Sequence, residues 1–397
     1  MLYRMKKISK FLTLTLIIHF LTSCIPSGKN KGNLSIIDLG VLLTAINNGS
    51  VSNQSDSAVF YVRGSNGADS NTGDQNSPFL TISKAIETMK SKNVTGQIRI
   101  AAGTYNESLT VPDGISLLGG YEVSNWDSRN NKDRSNANYR TRIIGTANTT
   151  ITIEANSTKS IKIDGFNILG KNSSNSIAID IRSNITLSNN TIDGVSTTST
   201  GISISNGNSS ILLNNDIWST SPHAYGIYID NASLSIINNV IRGGSTSGIY
   251  ITGISIVRIF SNTLSNANRI IEINGASVTA QLKNNLIVNG VYGIHNTNGI
   301  VSATFNDVWN NTTGNYLNAA AGTGSISQNP LFVSGTDFRL QNGSVAICSG
   351  TDLTSDFLAL NIAANDKEEI PRINSLNILW NIGAYETSGS TGLTSCQ

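Results

Sequence analysis

Six short segments of this chain share one pattern and carry its most reactive side chains at equivalent places. They read AIDI from Ala178, GISI from Gly201, GIYI from Gly226, GIYI from Gly248, IIEI from Ile270 and GIHN from Gly293. Alternation of apolar and other residues over a short run predicts a strand with the two sets on opposite faces. The face not taken by isoleucine carries Asp180, Ser203, Tyr228, Tyr250, Glu272 and His295; two residues further on it carries Arg182, Ser205, Asp230, Thr252, Asn274 and Thr297. Tyr228, Tyr250 and Glu272 follow one another at intervals of 22 residues, so one such strand per repeat sets them side by side. Rings beside carboxylates suit a saccharide-binding strip, because aromatic faces pack on sugar C–H groups and charged groups bond hydroxyls. Asp180, Arg182, Tyr228, Asp230, Tyr250, Glu272 and His295 are therefore the expected ligand-binding residues. Tyrosine also simply suits an exposed strand.

A catalytic set is harder to assemble. Glycoside hydrolysis needs two carboxyls across the scissile bond. A lyase needs a base and commonly a Ca²⁺ ion held by several carboxylates. Asp216 and Glu272 are the carboxylates a catalytic reading would use. The counterpart of Asp216 in the repeat pattern is Asp307, four turns away, roughly 19 Å at about 4.8 Å per turn. That is too far for one pair. Asp69-Ser70-Asn71-Thr72-Gly73-Asp74 has the oxygen-rich make-up of a Ca²⁺ loop, with Asp69, Asn71 and Asp74 as the candidate ligands. It lacks the closing Glu, and a turn is the competing reading. No other cofactor is expected, and no Cys/His spacing fits zinc.

The elements that must position these residues are announced by a recurring asparagine. It stands at Asn190, Asn215, Asn239, Asn262, Asn285 and Asn306, with Asn167 as a further member, at intervals of 21 to 25 residues. Three residues before it stand Leu187, Leu212, Ile236, Ile259, Leu282 and Ala303, and two residues after it Ile192, Ile217, Ile241, Leu264, Ile287 and Val308. A period in the low twenties with apolar columns predicts a solenoid, one turn per repeat. Each repeat reads as strand, short turn, strand, turn, with strands of successive turns stacked in parallel about 4.8 Å apart. The usual chirality of parallel connections makes it right-handed. The asparagine falls where the chain bends, and its amide can both donate and accept, satisfying backbone groups that the bend leaves unpaired.

The N-terminus predicts export. Arg4, Lys6, Lys7 and Lys10 precede a mainly apolar run from Phe11 to Phe20, too short for a spanning helix of roughly 20 residues. Residues 1–23 read as a signal peptide. Of 27 basic and 25 acidic residues, those four basic ones leave with it, so the exported chain is slightly acidic and offers no basic field to nucleic acid. Residues 24–57 read as a tether. Cys348 and Cys396 are then the remaining thiols after Cys24, either bridged, as export permits, or both free.

Three stretches carry a family resemblance. Leu21-Thr22-Ser23-Cys24 resembles the lipobox of bacterial lipoproteins, which implies acylation of Cys24; Ile25-Pro26 lacks the Asp that marks inner-membrane retention, so the outer membrane is expected, with a secreted, unlipidated product as the alternative. More than one acyl chain on Cys24 would give stable anchoring. Tyr61-Val62, Gly67, Asp69, Asn71, Gly73, Ser77-Pro78-Phe79, Thr81-Ile82, Ala85-Ile86, AAGTYNE from Ala101 and LLGGYE from Leu117 resemble the N-terminal cap of pectin-lyase-like β-helix proteins that carry DUF1565. The end of the chain is similar to the same group, in DFRLQNGSVAICSGTD and NIGAYE, although Cys348 and Asn381 replace acids usual there. The resemblance implies an all-β, right-handed parallel β-helix with a short N-terminal capping helix, built on Ile82, Ala85, Ile86 and Met89. The expected organisation is a cap over 58–97, the β-helix over 98–387 and a tail over 388–397. Trp126 and Arg129 are expected to fasten a long loop. The group includes polysaccharide lyases and glycoside hydrolases. Asn214-Asn215-Asp216 resembles the Asn-x-Asp element of polygalacturonases, but their Asp-Asp, Gly-His-Gly and Arg-x-Lys elements are absent. The expected function is a monomeric, lipid-anchored, non-catalytic envelope protein that binds glycan or another extracellular or host partner. A polysaccharide-degrading enzyme and a structural envelope protein are the alternatives.

Overall fold

The computed structural model describes residues 57–386, apart from Arg134, residues 156–157, Ser160, Thr197, Gly207, residues 219–223 and residues 373–378. The signal segment, Cys24, residues 25–56, the 388–397 tail and Cys396 lie outside the described residues. Strands stack into three sheets of ten, nine and nine members. Neighbours within each sheet run parallel, as in the pairs Ile179↔Ile202, Leu187↔Leu212 and Ile192↔Ile217. The fold is an all-β parallel β-helix.

Each turn contributes three strands, where the sequence suggests two. In one turn they are Thr186–Ser188 in sheet 1, Thr191–Asp193 in sheet 2 and Thr200–Ser205 in sheet 3. The doubled asparagines explain the difference. The residue before each recurring Asn adopts positive φ, at Asn189, Asn214, Asn238, Ser261, Asn284 and Phe305. Asn tolerates that left-handed conformation better than most residues. It turns the chain sharply, so what reads as one alternating run is two short strands on different sheets.

The core is a stack of aliphatic columns. Ile179, Ile202, Ile227, Ile249, Ile271 and Ile294 are fully buried under sheet 3, Leu187, Leu212, Ile236, Ile259 and Leu282 under sheet 1, and Ile192, Ile217, Leu264, Ile287 and Val308 under sheet 2. Each contributes about 1.5–3 kcal/mol by leaving water.

At the N-terminal end lies helix α1, Ile82–Ser91, whose buried residues are Ile82, Ala85, Ile86 and Met89. The strand before it, Ala58–Val62, pairs in parallel with Gly96–Ala101 and is itself a member of sheet 1. Trp126 Nε1 donates to the Gln75 carbonyl at 3.1 Å and its ring meets Tyr61 edge-on, while Arg129 reaches the buried Asp164 carboxylate at 2.5 Å.

The C-terminal segment folds back along the outside. Leu353, Phe357 and Trp380 pack on the outer side chains Ile237 and Phe260, and Leu340, Ala346 and Ile382 pack on Leu286. Phe357 lies on a short second helix, α2, Thr354–Ala359, which hydrophobic spacing does not announce. The left-handed asparagines anchor this segment. Asn238 Nδ2 donates to the Asn365 carbonyl at 2.8 Å, Asn284 Nδ2 to the Thr351 carbonyl at 2.7 Å, and Lys367 Nζ to the Asn214 carbonyl at 2.6 Å. The two departures from the related closing sequences meet here, since the Cys348 backbone N–H donates to Asn381 Oδ1 at 3.0 Å. Cys348 is disulfide-bonded.

Candidate functional site

The inner asparagine column comes first, because it fixes the register of everything else. Asn190, Asn215, Asn239, Asn262, Asn285 and Asn306 have no exposed surface. Each Oδ1 accepts from the turn before: Asn239 Oδ1 takes the Asn215 backbone N–H at 2.8 Å and Asn215 Nδ2 at 3.0 Å. Each Nδ2 also reaches a strand-end carbonyl, as Asn239 does at Leu212, 2.9 Å. Asn167 is not part of this column. It pairs with Thr191, one residue out of register, and the column position in its turn is filled by Phe166, whose N–H donates to Asn190 Oδ1 at 3.0 Å. The chain enters that turn through Gly165 with a buried aromatic at the corner, and the Asn falls on the following, partly exposed position.

With register fixed, the outer face of sheet 3 holds most of the predicted ligand-binding residues in one line. Ser203 pairs with Tyr228, Tyr228 with Tyr250, Tyr250 with Glu272, and Glu272 with His295 on consecutive strands. The Tyr228 and Tyr250 rings lie 5.3 Å apart and 13° from parallel. Glu272 is the hub of the polar half. Its Oε2 accepts from Ser247 Oγ at 2.5 Å, and its Oε1 lies 3.7 Å from Arg269 Nε and 3.8 Å from His295 Nδ1. Asn274 Nδ2 donates to the Tyr250 hydroxyl at 2.5 Å. One turn before Ser203, Asp180 and Arg182 form a pair at 2.7 Å.

Sequence reasoning missed Tyr225, Ser247, Arg269 and Tyr292, which face outward in the same strands. Tyr225 meets Tyr228 and Tyr250 at 5.4 and 5.3 Å, and Tyr292 stacks on His295 at 5.6 Å. The signal was present in the repeated glycine. A Cβ on Gly226 would come within 2.6 Å of the Gly248 carbonyl oxygen, so the chain passes flat against the next turn. That step interrupts the alternation and leaves both Tyr225 and Tyr228 facing out. Burial, then the neighbouring Tyr250 and Glu272, raise the Tyr225 hydroxyl pKa; burial, then Asp230 and Tyr250, raise that of Tyr228. Both stay protonated hydrogen-bond donors.

The other candidates go elsewhere. Asp216 begins a strand of sheet 2, not sheet 3, so the fold does not bring it to Glu272. It lies beneath the C-terminal segment, 3.2 Å from Lys367 Nζ. Asp307 is buried, accepts the Gln328 N–H at 3.1 Å, and burial pushes its carboxyl up to about 6. Asp69 accepts from Leu80 N, Thr81 N and Thr81 Oγ1, and Asp74 from Asn76 N, Ser77 N and Thr72 Oγ1. Asn71 Nδ2 donates to the Pro78 carbonyl. These bonds shape a turn around the start of α1. Among the described residues no group of three His, Cys, Asp or Glu side chains is placed to hold a metal ion. No described helix is long and apolar enough to cross a membrane.

Comparison with known proteins gives similarities over part or most of the chain. No curated protein matches the chain. Among solved structures, pectate lyase Pel9A is similar at 15% identity with a TM-score of 0.39, covering 84% of this chain and 98% of its own. Pectin methylesterase from Aspergillus niger is similar at 13% identity with a TM-score of 0.35, covering 75% and 93%. Tailspike protein gp49 from Acinetobacter baumannii bacteriophage Fri1, a capsular polysaccharide depolymerase, follows at 10% identity and a TM-score of 0.27, covering 81% and 66%. Residues 65–221 of this parallel β-helix match the family described as "Protein of unknown function (DUF1565)".

Proposed function

We propose that this protein binds an extracellular saccharide on the outer face of sheet 3, without turning it over, while acylated Cys24 holds it at the outer membrane. The observation that supports this reading is the half-exposed cluster of Tyr225, Tyr228 and Tyr250, continuous with Glu272 and its polar partners. Rings offer C–H stacking, their hydroxyls donate, and Asp230 accepts, which together match the surface of a sugar. Glu272 has no second carboxyl opposite it on a neighbouring strand, where Tyr250 and His295 stand, so the face reads as a binding surface.

A glycan microarray probed with wild type and with Tyr228→Ala/Tyr250→Ala tests the proposal. Each ring contributes about 0.5–1.5 kcal/mol beyond its buried area, so the double variant should lose about tenfold or more in affinity. Its β-sheet circular dichroism should persist, since neither ring belongs to the core. Equal signals from both proteins, or none from either, would remove the proposal. Protease shaving of intact cells, with Cys24→Ser as control, tests the anchoring.

A further inference from the structure

We infer that the ligand is an uncharged oligosaccharide that crosses the sheet-3 face, seating one pyranose ring in a notch over Ser203, between Tyr228 and the Asp180–Arg182 pair. This inference rests on the saccharide reading above and adds the direction, the seat and the chemical class.

Direction follows from how the rings stand. Tyr228 and Tyr250 are register partners on adjacent turns, nearly parallel, with centroids 5.3 Å apart. That separation is close to the roughly 4.8 Å strand spacing, so the ring planes lie across the solenoid axis and cover one another. A chain lying along the axis would meet ring edges. The remaining face of Tyr228 looks toward the preceding turn, and a sugar stacked on it has its own plane across the axis, so the chain to which it belongs runs crosswise.

The seat follows from side-chain size. The register partner of Tyr228 on the preceding turn is Ser203, and that of Asp230 is Ser205. One turn earlier the partner of Ser203 is Asp180, bonded to Arg182 at 2.7 Å. Asp180 and Tyr228 are therefore two turns apart, about 9.6 Å, with Ser203 as the described register partner between them. A sugar ring packed about 4 Å from the tyrosine face fills most of that gap and brings its far hydroxyls to the exposed Arg182 guanidinium, which the buried Asp180 carboxylate holds in place.

The class follows from charge. The described sheet-3 face carries the carboxylates Glu154, Asp180, Asp230 and Glu272 and the guanidiniums Arg182 and Arg269, with Glu154 3.6 Å from Lys90. Both guanidiniums already face carboxylates, Arg182 at Asp180 and Arg269 at Glu272. The Asp230 carboxylate, beside the notch, accepts only the Asn231 amide at 2.9 Å in the described contacts. A uronate would have to break an existing pair and stand near Asp230. Neutral hydroxyls use the same groups with no unpaired charge left over.

The test is isothermal titration of the intact protein with xylohexaose, cellohexaose, mannohexaose and hexagalacturonate, on wild type, Ser203→Phe, Ser203→Ala and Tyr228→Ala/Tyr250→Ala. Ser203→Phe fills the notch at an outward strand position that accepts aromatics, so folding should be retained, with Ser205→Phe as a second filling variant should it not be. At least one neutral hexasaccharide should bind wild type about tenfold or more tighter than hexagalacturonate. Ser203→Phe should lose about tenfold or more, a loss of about 1.4 kcal/mol, while Ser203→Ala stays near wild type. Undiminished binding by folded Ser203→Phe and Ser205→Phe, with loss in the tyrosine double variant, overturns the notch and leaves the saccharide site standing. Preference for hexagalacturonate overturns the uncharged class. Binding by no probe, or equal binding by all variants, overturns the inference together with the reading beneath it.

Discussion

The buried Asn239 amide serves three turns at once. It donates to Leu212 and Ile237 carbonyls and to Asn262 Oδ1, and accepts from the backbone and side chain of Asn215. Leucine has similar bulk but none of this capacity, and each polar group left buried without a partner costs about 1–3 kcal/mol. Asn239→Leu should therefore lower stability in urea by several times the effect of an exposed substitution such as Gln281→Ala. Equal midpoints for the two would show that the column does not hold the turn. Asp307 makes a pH prediction. Burial raises its carboxyl from 3.8 to about 6, and Oδ2 has no hydrogen-bond partner. Because the folded pKa lies above the unfolded one, this group's stabilising contribution is complete below about pH 4 and is lost as pH rises through about 6, by up to about 3 kcal/mol. Asp307→Asn keeps an acceptor for Gln328 without the charge. Its stability relative to wild type should be near zero at about pH 3.5 and should grow to a plateau above pH 7. A difference that stays constant across that range would show that the carboxyl is not desolvated.

Helix α1 shows how one element is held by a distant one. Thr81 caps it, its Oγ1 accepting the Lys84 N–H, and Glu107, on the next strand region, accepts Ile82 N at 3.0 Å and Ser83 N at 2.8 Å. A carboxylate on unpaired N-terminal N–H groups also meets the favourable end of the helix dipole. Glu107→Ala should cost about 1–2 kcal/mol in thermal or urea unfolding; no change would mean that water replaces the carboxylate without loss. The apolar face of α1 was legible because Ile82, Ala85, Ile86 and Met89 are local and periodic. The split of each Asn-Asn run into two strands was not, because left-handed backbone leaves no mark on hydrophobic alternation. Tyr225, Arg269 and Tyr292 escaped for a related reason: the chain shifts phase at the residue after each, Gly226, Ile270 and Gly293, and a rule of strict alternation assigns those positions to the core.

At the scale of the whole molecule, the inward columns and the outward line from Ser203 to His295 were readable because a solenoid turns sequence interval directly into spatial neighbourhood. The C-terminal overlay was hidden by the opposite circumstance. Phe357 and Trp380 meet Ile237 and Phe260 across roughly a hundred residues, with no period to reveal it. Asp216 shared that fate, its outward place in the repeat being covered by Lys367. The asparagine column also has a sense of direction. Every Oδ1 accepts from the turn before it, and every inner backbone N–H points to the amide of the turn after it, from Phe166 N–H at one end to Ser325 Oγ, which takes the Asn306 N–H at 3.3 Å, at the other. A column built up from its N-terminal turn therefore has, at its last turn, the amide oxygen already filled and the backbone N–H still vacant. The growing tip solicits one kind of group, the oxygen of the next asparagine, and winding ends where a serine supplies that oxygen instead.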